Sequence, residues 1–130
     1  MTYQLLNLFD DSNYLPDYDI SCKFILIESL TDHWIVFGPL ETYRCHAQLV
    51  HRFCTLNHIV CTWIKHPDLV EIHSEGFEIK GGGIVKFESG KGLLEFKGNS
   101  TAYGGIDKAL LEEFLENCEE LNGLEVLVGT

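Results

Sequence analysis

The 130 residues of this chain suit a single domain, and a composition that is 45% hydrophobic and 12% aromatic is enough to bury one core. Nine basic against 20 acidic residues give a net charge of −11, which would repel a phosphate backbone, so we expect no nucleic-acid partner. No apolar run approaches the roughly 18 to 20 residues that cross a bilayer, and the first residues lack the order of a signal peptide, so we expect no membrane partner.

The cysteines indicate a reducing compartment. Their number is odd, they form no CxxC pair, and they lie in apolar stretches, at Cys22, Cys45, Cys54, Cys61 and Cys118. Such cysteines suit reduced thiols better than disulfides. We therefore expect a cytoplasmic protein.

The chain divides into a short irregular part and one domain. Residues 1–20 mix Asp, Asn and Pro with scattered aromatic residues and show no sustained period, which predicts an irregular N-terminal lead-in. Residues 21–130 contain the clearly periodic segments. They predict a single α+β domain.

The first periodic segment predicts a β-hairpin. Lys23–Glu28 is rich in β-branched and aromatic residues, and Trp34–Phe37 repeats that character after the turn-like Thr31-Asp32. From Glu41 to about Asn57 the apolar residues change to helical spacing, which predicts an amphipathic helix. His46 lies beside the apolar stripe of that helix.

The rest of the chain predicts further strands and one more helix. Short strands are expected at Ile59–Ile64, Leu69–Ile72 and Phe77–Ile79. Gly81-Gly82-Gly83 would interrupt the chain before a hairpin. The strands of that hairpin are Ile84–Glu88 and Leu93–Lys97.

Residues 106–121 carry apolar side chains every three or four positions and predict a second amphipathic helix, followed by a last strand at Leu124–Val128. There is no internal repeat and no alternating βαβ series. The predicted fold is therefore α+β, with a single mixed or antiparallel sheet of about six strands and two packed helices.

The order of several short motifs resembles the janus/ocnus family of phosphohistidine phosphatases. Gly81-Gly82-Gly83-Ile84 and the later Gly98-Asn99-Ser100-Thr101-Ala102-Tyr103-Gly104 are similar to that family's GGG turn and YGxSxAYG segment. Lys23-Phe24-Ile25-Leu26-Ile27 resembles its FKYVLI-type first strand, and Tyr43-Arg44-Cys45-His46-Ala47 its YHAD-type segment. The resemblance covers residues 21–128, with a longer middle segment here.

Position by position, the resemblance implies a phosphate site. His46 would be the catalytic histidine, Lys23 a strand lysine near the phosphate, and Ala47, Ser100 and Ala102 phosphate-binding positions. A neutral imidazole can act as a base or as a phosphoryl acceptor, while a lysine and backbone N–H groups neutralise charge. The resemblance implies no cofactor, and a phosphohistidine-bearing protein or another anion as partner.

Two functions remain open, because two arginines of the family are missing from this sequence. Phe37 and Ile84 stand where family members carry arginines, which favours a noncatalytic phosphohistidine phosphatase-like domain that binds a protein partner or an anion. The retained histidine, lysine and Ser-x-Ala set favours the alternative. That alternative is a metal-independent protein phosphohistidine phosphatase using His46 as general base or phosphate acceptor.

The same residues also have purely structural interpretations. His46 would then be a half-buried core histidine, Lys23 a solvated edge residue, and residues 98–105 a turn that needs glycine. A metal site is a further alternative, but the spacing of the densest histidine and cysteine group fits no zinc motif; its members are Cys54, His58, Cys61, His66 and His73. We expect no metal.

The segment 58–76 carries a surplus of apolar residues, among them Trp63, Ile64 and Val70. An apolar surplus outside the predicted core is typical of contact surfaces between subunits. The sequence therefore favours a homo-oligomer, most simply a homodimer.

Overall fold

A computed structural model describes residues 2–129, and its largest element is a mixed sheet of six strands, curled like a half-barrel. The strands of the described chain are β1 (Thr2–Asn7), β2 (Ile20–Glu28), β3 (Asp32–Pro39), β4 (Cys61–Lys65), β5 (Leu69–Ile72), β6 (Glu78–Glu88), β7 (Leu93–Lys97), β8 (Asn99–Ser100), β9 (Gly104–Gly105) and β10 (Glu125–Val128). The helices are α1 (His46–Leu56) and α2 (Lys108–Asn117), and short 3-10 turns lie at Ser89–Lys91 and Glu119–Leu121. The predicted α+β fold is confirmed.

The main sheet has the order β1-β3-β2-β6-β7-β10. Its four central strands run antiparallel, β1 runs parallel to β3, and β10 runs parallel to β7. No helix among residues 2–129 is long and apolar enough to cross a membrane.

The predicted irregular lead-in is wrong for the first residues. Thr2–Asn7 forms an edge strand because its backbone pairs with β3 in register, from Thr2 opposite Asp32 to Asn7 opposite Phe37. Residues 8–19 are irregular but held in place: the buried Asn7 side chain donates to the Tyr14 carbonyl and accepts from the Phe9 amide. The outer limits of the predicted domain division, Met1 and Thr130, lie outside the described residues.

The predicted break at the three glycines is also wrong. The strand β6 runs as one element from Glu78 to Glu88, and Gly82 and Gly83 pair with β2 within it, although the register of that pairing shifts beside Gly81. Both hairpins predicted on either side, β2–β3 and β6–β7, are present.

The first helix begins later than predicted. The amides of Thr42 and Tyr43 bond to the Pro39 carbonyl in a turn, and Cys45 has extended backbone angles as the N-cap, so the helix starts at His46. Two of the predicted middle strands do not join the main sheet. They are β4 and β5, which pair with each other in a separate two-stranded sheet.

The two faces of the main sheet pack on different partners. One face packs against α2 and the following 3-10 turn, and its buried side chains include Cys22, Phe24, Phe37, Phe96 and Phe114. The opposite face packs against α1 and the β4–β5 hairpin, with Ile25, Ile27, Val36, Phe53 and Val70 at its centre. We call these the α2 face and the α1 face. Each of the two helices therefore covers one side of the sheet.

Candidate functional site

A cleft of about 580 Å³ opens at one end of the α1 face. It lies between the first residues of α1, the loop of residues 98–105 and the β4–β5 hairpin. Most of the residues that line it are of polar or charged type: Lys23, Arg44, Cys45, His46, Lys65, Asp68, Leu69, Asn99, Ser100, Thr101 and Ala102. Four of the five sequence-predicted site residues, Lys23, His46, Ser100 and Ala102, thus line one cleft.

His46 is the first residue of α1, and its imidazole is 7% exposed. Its Nε2 lies 3.0 Å from the Gly83 carbonyl oxygen, which can only accept, so Nε2 carries the proton and donates. The other ring nitrogen, Nδ1, has no hydrogen-bond partner among the described residues. Because every fully buried side-chain N or O atom of these residues does have a partner, Nδ1 is not fully buried. It is therefore in contact with solvent and presents its lone pair to the cleft as an acceptor.

The environment of His46 keeps its imidazole neutral. Burial lowers the pKa of His46 below its ordinary value, and the positive charge of Lys23 lowers it further. The hydrogen bond to the Gly83 carbonyl opposes both effects without reversing them. A neutral imidazole is the form that can accept a proton or a hydrogen bond at Nδ1.

Two of the three glycines in β6 make room for this arrangement. A Cβ on Gly82 would lie 2.4 Å from the Phe24 carbonyl oxygen and 2.9 Å from Cδ2 of His46. A Cβ on Gly81 would lie 2.4 Å from the Gly105 carbonyl oxygen, and Gly81 has a positive φ of 108°. The glycines thus let the imidazole and the 98–105 loop lie directly on the sheet.

Lys23 enters the cleft from β2. Its neighbours Cys22 and Phe24 point into the α2 face, so strand alternation directs Lys23 to the α1 face. Its side chain is partly buried, and it makes no hydrogen bond or ion pair with any residue between 2 and 129. An ammonium group without a protein partner in a cleft is available to an anion.

The 98–105 loop is fixed from within and from the hairpin. The Ser100 side chain is 3% exposed, and its Oγ accepts the Tyr103 amide at 3.1 Å, which leaves the hydroxyl hydrogen free to donate. The Tyr103 hydroxyl accepts from the Val70 amide at 2.9 Å and donates to the Val70 carbonyl at 3.0 Å. Tyr103 therefore couples the loop to β5.

The β4–β5 hairpin forms a wall of the cleft that the sequence did not predict. Asp68 accepts from the Cys45 thiol, with Sγ 3.8 Å from Oδ1, and its other oxygen lies 3.6 Å from the Lys65 ammonium. These contacts join the hairpin turn to the start of α1. Nothing in the order of residues 58–76 signals this, because it depends on long-range contacts with Cys45 and Tyr103.

Ala47, the fifth predicted site residue, is placed differently. Its side chain is fully buried in the core of the α1 face and is not part of the cleft lining. It could contribute only through its backbone, because the N–H groups of the first helical residues have no intrahelical acceptor. The amide of Cys45 differs, since it donates to the Gln48 side chain at 3.0 Å.

The two positions where arginines were expected lie on opposite faces of the sheet. Phe37 pairs with Phe24 and is buried in the core of the α2 face, away from the cleft. Ile84 pairs with Lys23 across β2 and β6, and it lies on the α1 face because its neighbour Val85 points the other way. Only position 84 is therefore next to the cleft.

Arg44 supplies a guanidinium group to the cleft, and the sequence analysis assigned it no role. It is exposed, lines the cleft, and forms no ion pair within the described part of the chain. Residues 2–129 contain no group of three or more His, Cys, Asp or Glu side chains arranged to hold a metal ion. The cleft therefore offers cations, hydroxyl and amide donors, one imidazole acceptor and the carboxylate of Asp68.

Comparison with known protein families finds no family model that matches this chain, and no curated protein matches it either. The similarity to the janus/ocnus family thus rests on the motifs quoted above and stays a prediction.

Proposed function

We propose that this protein binds a phosphoryl group, carried by a phosphohistidine-bearing protein or another anion, in the cleft at the start of α1. The observation that supports the proposal is the charge of the cleft. Three of the nine basic residues, Lys23, Arg44 and Lys65, line it against one of the 20 acidic residues, Asp68, in a chain whose net charge is −11. A local concentration of cations against an acidic background is the arrangement that an anion selects.

The hydrogen-bond donors support the same ligand. The Ser100 hydroxyl has a free hydrogen, and Thr101 and Asn99 add polar side chains beside it. The unsatisfied N–H groups of the first helical turn point toward the N-terminal end of α1, where the helix dipole favours negative charge. These groups suit a tetrahedral oxyanion better than an apolar ligand.

The binding proposal is tested by titration with inorganic phosphate and with a phosphohistidine peptide. Lys23→Gln removes the unpaired ammonium group, and we expect affinity to fall at least about tenfold, the range of a lost charge-assisted hydrogen bond. Lys91→Gln is the matched control, since Lys91 is highly exposed and pairs with Glu88 outside the cleft. Equal affinities of both variants and the wild type would refute the proposal.

A second function, metal-independent hydrolysis of phosphohistidine, is favoured by the state of His46. Its proton is on Nε2, held by the Gly83 carbonyl, so Nδ1 is free to accept a proton from water or a phosphoryl group. Phosphoryl transfer depends mainly on positioning and on charge stabilisation, which Lys23 and Arg44 would provide. His46 would then act as general base or phosphate acceptor.

Release of phosphate from a phosphohistidine-bearing protein separates the two functions. Turnover by the wild type that His46→Ala abolishes, with a phosphoserine peptide left intact, supports the phosphatase. Binding without turnover supports the noncatalytic domain. His58→Ala, on a residue outside the cleft, is the control for loss of a histidine.

Location and assembly belong to the same proposal. All five cysteines are free, which suits the reducing cytoplasm. Val60 is 68% exposed and Ile64 54% exposed on the outside of the β4–β5 hairpin, and we propose that they contact a second copy in a homodimer. A monomer in sedimentation at high concentration would refute the dimer.

A further inference from the structure

The β4–β5 hairpin brings a carboxylate into a cleft otherwise rich in cations. Asp68 lines the cleft together with Lys65, and the two side chains pair at 3.6 Å. The Cys45 thiol donates to the other carboxylate oxygen of Asp68. The wall formed by the hairpin is therefore close to neutral, whereas Lys23 and Arg44, which also line the cleft, have no ion-pair partner among residues 2–129.

A cleft built for a bare phosphate would gain nothing from this carboxylate. The Asp68 carboxylate offers an anion no favourable contact, and its pairing with Lys65 removes that ammonium group from the ligand. A carboxylate beside an anion site favours a ligand that carries positive charge next to its negative group. The position of Asp68 therefore indicates that the ligand carries positive charge beside its phosphoryl group.

The charge of the remaining surface supports the same conclusion. One of the 20 acidic residues and three of the nine basic residues line the cleft, so the rest of the chain carries nineteen acidic and six basic residues. A ligand that reaches Lys23 and Arg44 must cross a surface that attracts positive charge.

We infer that the partner of this cleft is a phosphoryl group on a basic segment of another protein, with Asp68 contacting a Lys or Arg side chain beside the phosphorylated residue. This inference rests on the proposed function and names its partner. Lys23 and Arg44 take the phosphoryl group, and the hairpin wall selects the flanking sequence. Asp68 is thus a specificity-determining residue.

Two phosphohistidine peptides test the inference, one with lysines and one with glutamates on both sides of the phosphorylated residue, each with its unphosphorylated form. We expect the wild type to prefer the lysine-flanked phosphopeptide. Asp68→Asn should lower the ratio of the two affinities, lysine-flanked over glutamate-flanked, by about two- to fivefold, the range of one exposed ion pair. It should weaken binding of the lysine-flanked phosphopeptide and tighten binding of the glutamate-flanked one.

Glu71→Gln is the matched control, because it removes the same charge from the same hairpin outside the cleft lining. It should leave the preference nearly unchanged. A wild type that binds both phosphopeptides equally, or an Asp68→Asn variant that shifts both in the same direction, would overturn the inference and leave the proposed function intact. If phosphorylation of either peptide added nothing to binding, the proposed function would fail.

Discussion

The two faces of the six-stranded sheet differ along β2. On the α2 face, the buried residues of β2 continue through Phe24 to Cys22, and Phe37 of β3 packs beside Phe24. On the α1 face, the apolar residues of β2 stop at Ile25, and the next residue on that face, Lys23, lines the cleft with the buried His46. The same strands thus build a closed core on one side and a cleft on the other.

The comparison shows why neighbours in the sequence need not share a role. Lys23 and Phe24 are adjacent, yet alternation along β2 puts one in the cleft and the other in the opposite core. For the same reason, the phenylalanine at position 37 removes nothing from the cleft. The absence of an arginine at position 37 therefore concerns only the core of the α2 face, and only Ile84 lies next to the cleft.

The largest expected effect comes from placing the missing arginine at position 37. Phe37→Arg would bury a charge in the core of the α2 face, and we expect it to lower the free energy of unfolding by about 4–5 kcal/mol. Phe37→Leu, the control, should lower the free energy of unfolding by only about 1–2 kcal/mol. Urea denaturation measures both. A stable Phe37→Arg variant with tighter phosphate binding would mean that position 37 serves the cleft.

The next effect tests the glycines under the cleft. Gly82→Ala places a methyl group against the Phe24 carbonyl and the His46 ring. We therefore expect the free energy of unfolding to fall by about 3 kcal/mol and phosphate binding to weaken. Gly90→Ala is the control, because no heavy atom lies within 4 Å of its added Cβ. If thermal denaturation showed the same loss of stability for both substitutions, the close approach of the Phe24 carbonyl and the His46 ring to Gly82 would not be needed for the fold.

Runs of apolar, β-branched and aromatic residues were the most informative signal in the sequence. They predicted β2, β3 and β7 and the two ends of β6, because each of these segments has that composition locally. They missed β1, whose segment Thr2–Asn7 mixes polar and apolar residues and is defined by parallel pairing with β3. Pairing between distant segments leaves no local pattern to find.

The site was predictable to the same extent. The quoted motifs identified His46, Lys23, Ser100 and Ala102, which share the cleft lining. The three glycines were wrongly predicted to break the strand, because glycine is usually a turn residue. Here the 98–105 loop and the His46 ring lie so close to the sheet that glycine is required within a strand. The contribution of Asp68 depends on a turn of the hairpin meeting the N-cap of α1, which no spacing reveals.

Removing the Tyr103 hydroxyl tests whether the hairpin and the 98–105 loop act together. Tyr103→Phe leaves the Val70 amide and carbonyl without their partner, so we expect stability to fall by about 2 kcal/mol. Phosphate affinity should fall as well, because the loop carries Ser100. Tyr43→Phe is the control, since the Tyr43 hydroxyl forms no hydrogen bond within the described chain. Unchanged hydrogen exchange of β5 in Tyr103→Phe would contradict the coupling.

The buried imidazole of the α1 face predicts a dependence of stability on pH. The pKa of His46 is lowered by burial, so the unfolded chain binds this proton more readily than the folded one. The stabilisation is complete above the ordinary pKa of about 6.5 and decreases as pH falls from there through the lowered folded value. Between neutral pH and about pH 5.5 the free energy of unfolding, measured by urea denaturation, should fall more in the wild type than in His46→Gln. Parallel pH profiles would mean that His46 titrates normally.

The smallest expected effect is a gain of function at position 84. Ile84→Arg adds a guanidinium group beside Lys23 on the α1 face, where the side chain is only partly buried, so the fold should tolerate it. We expect phosphate affinity to rise about two- to fivefold and to become more sensitive to salt. Gly90→Arg adds the same charge in the turn between β6 and β7 and should leave affinity nearly unchanged. Equal gains in both variants would trace the effect to net charge alone, whereas a gain confined to Ile84→Arg would show that the α1 face admits the arginine that the α2 face rejects.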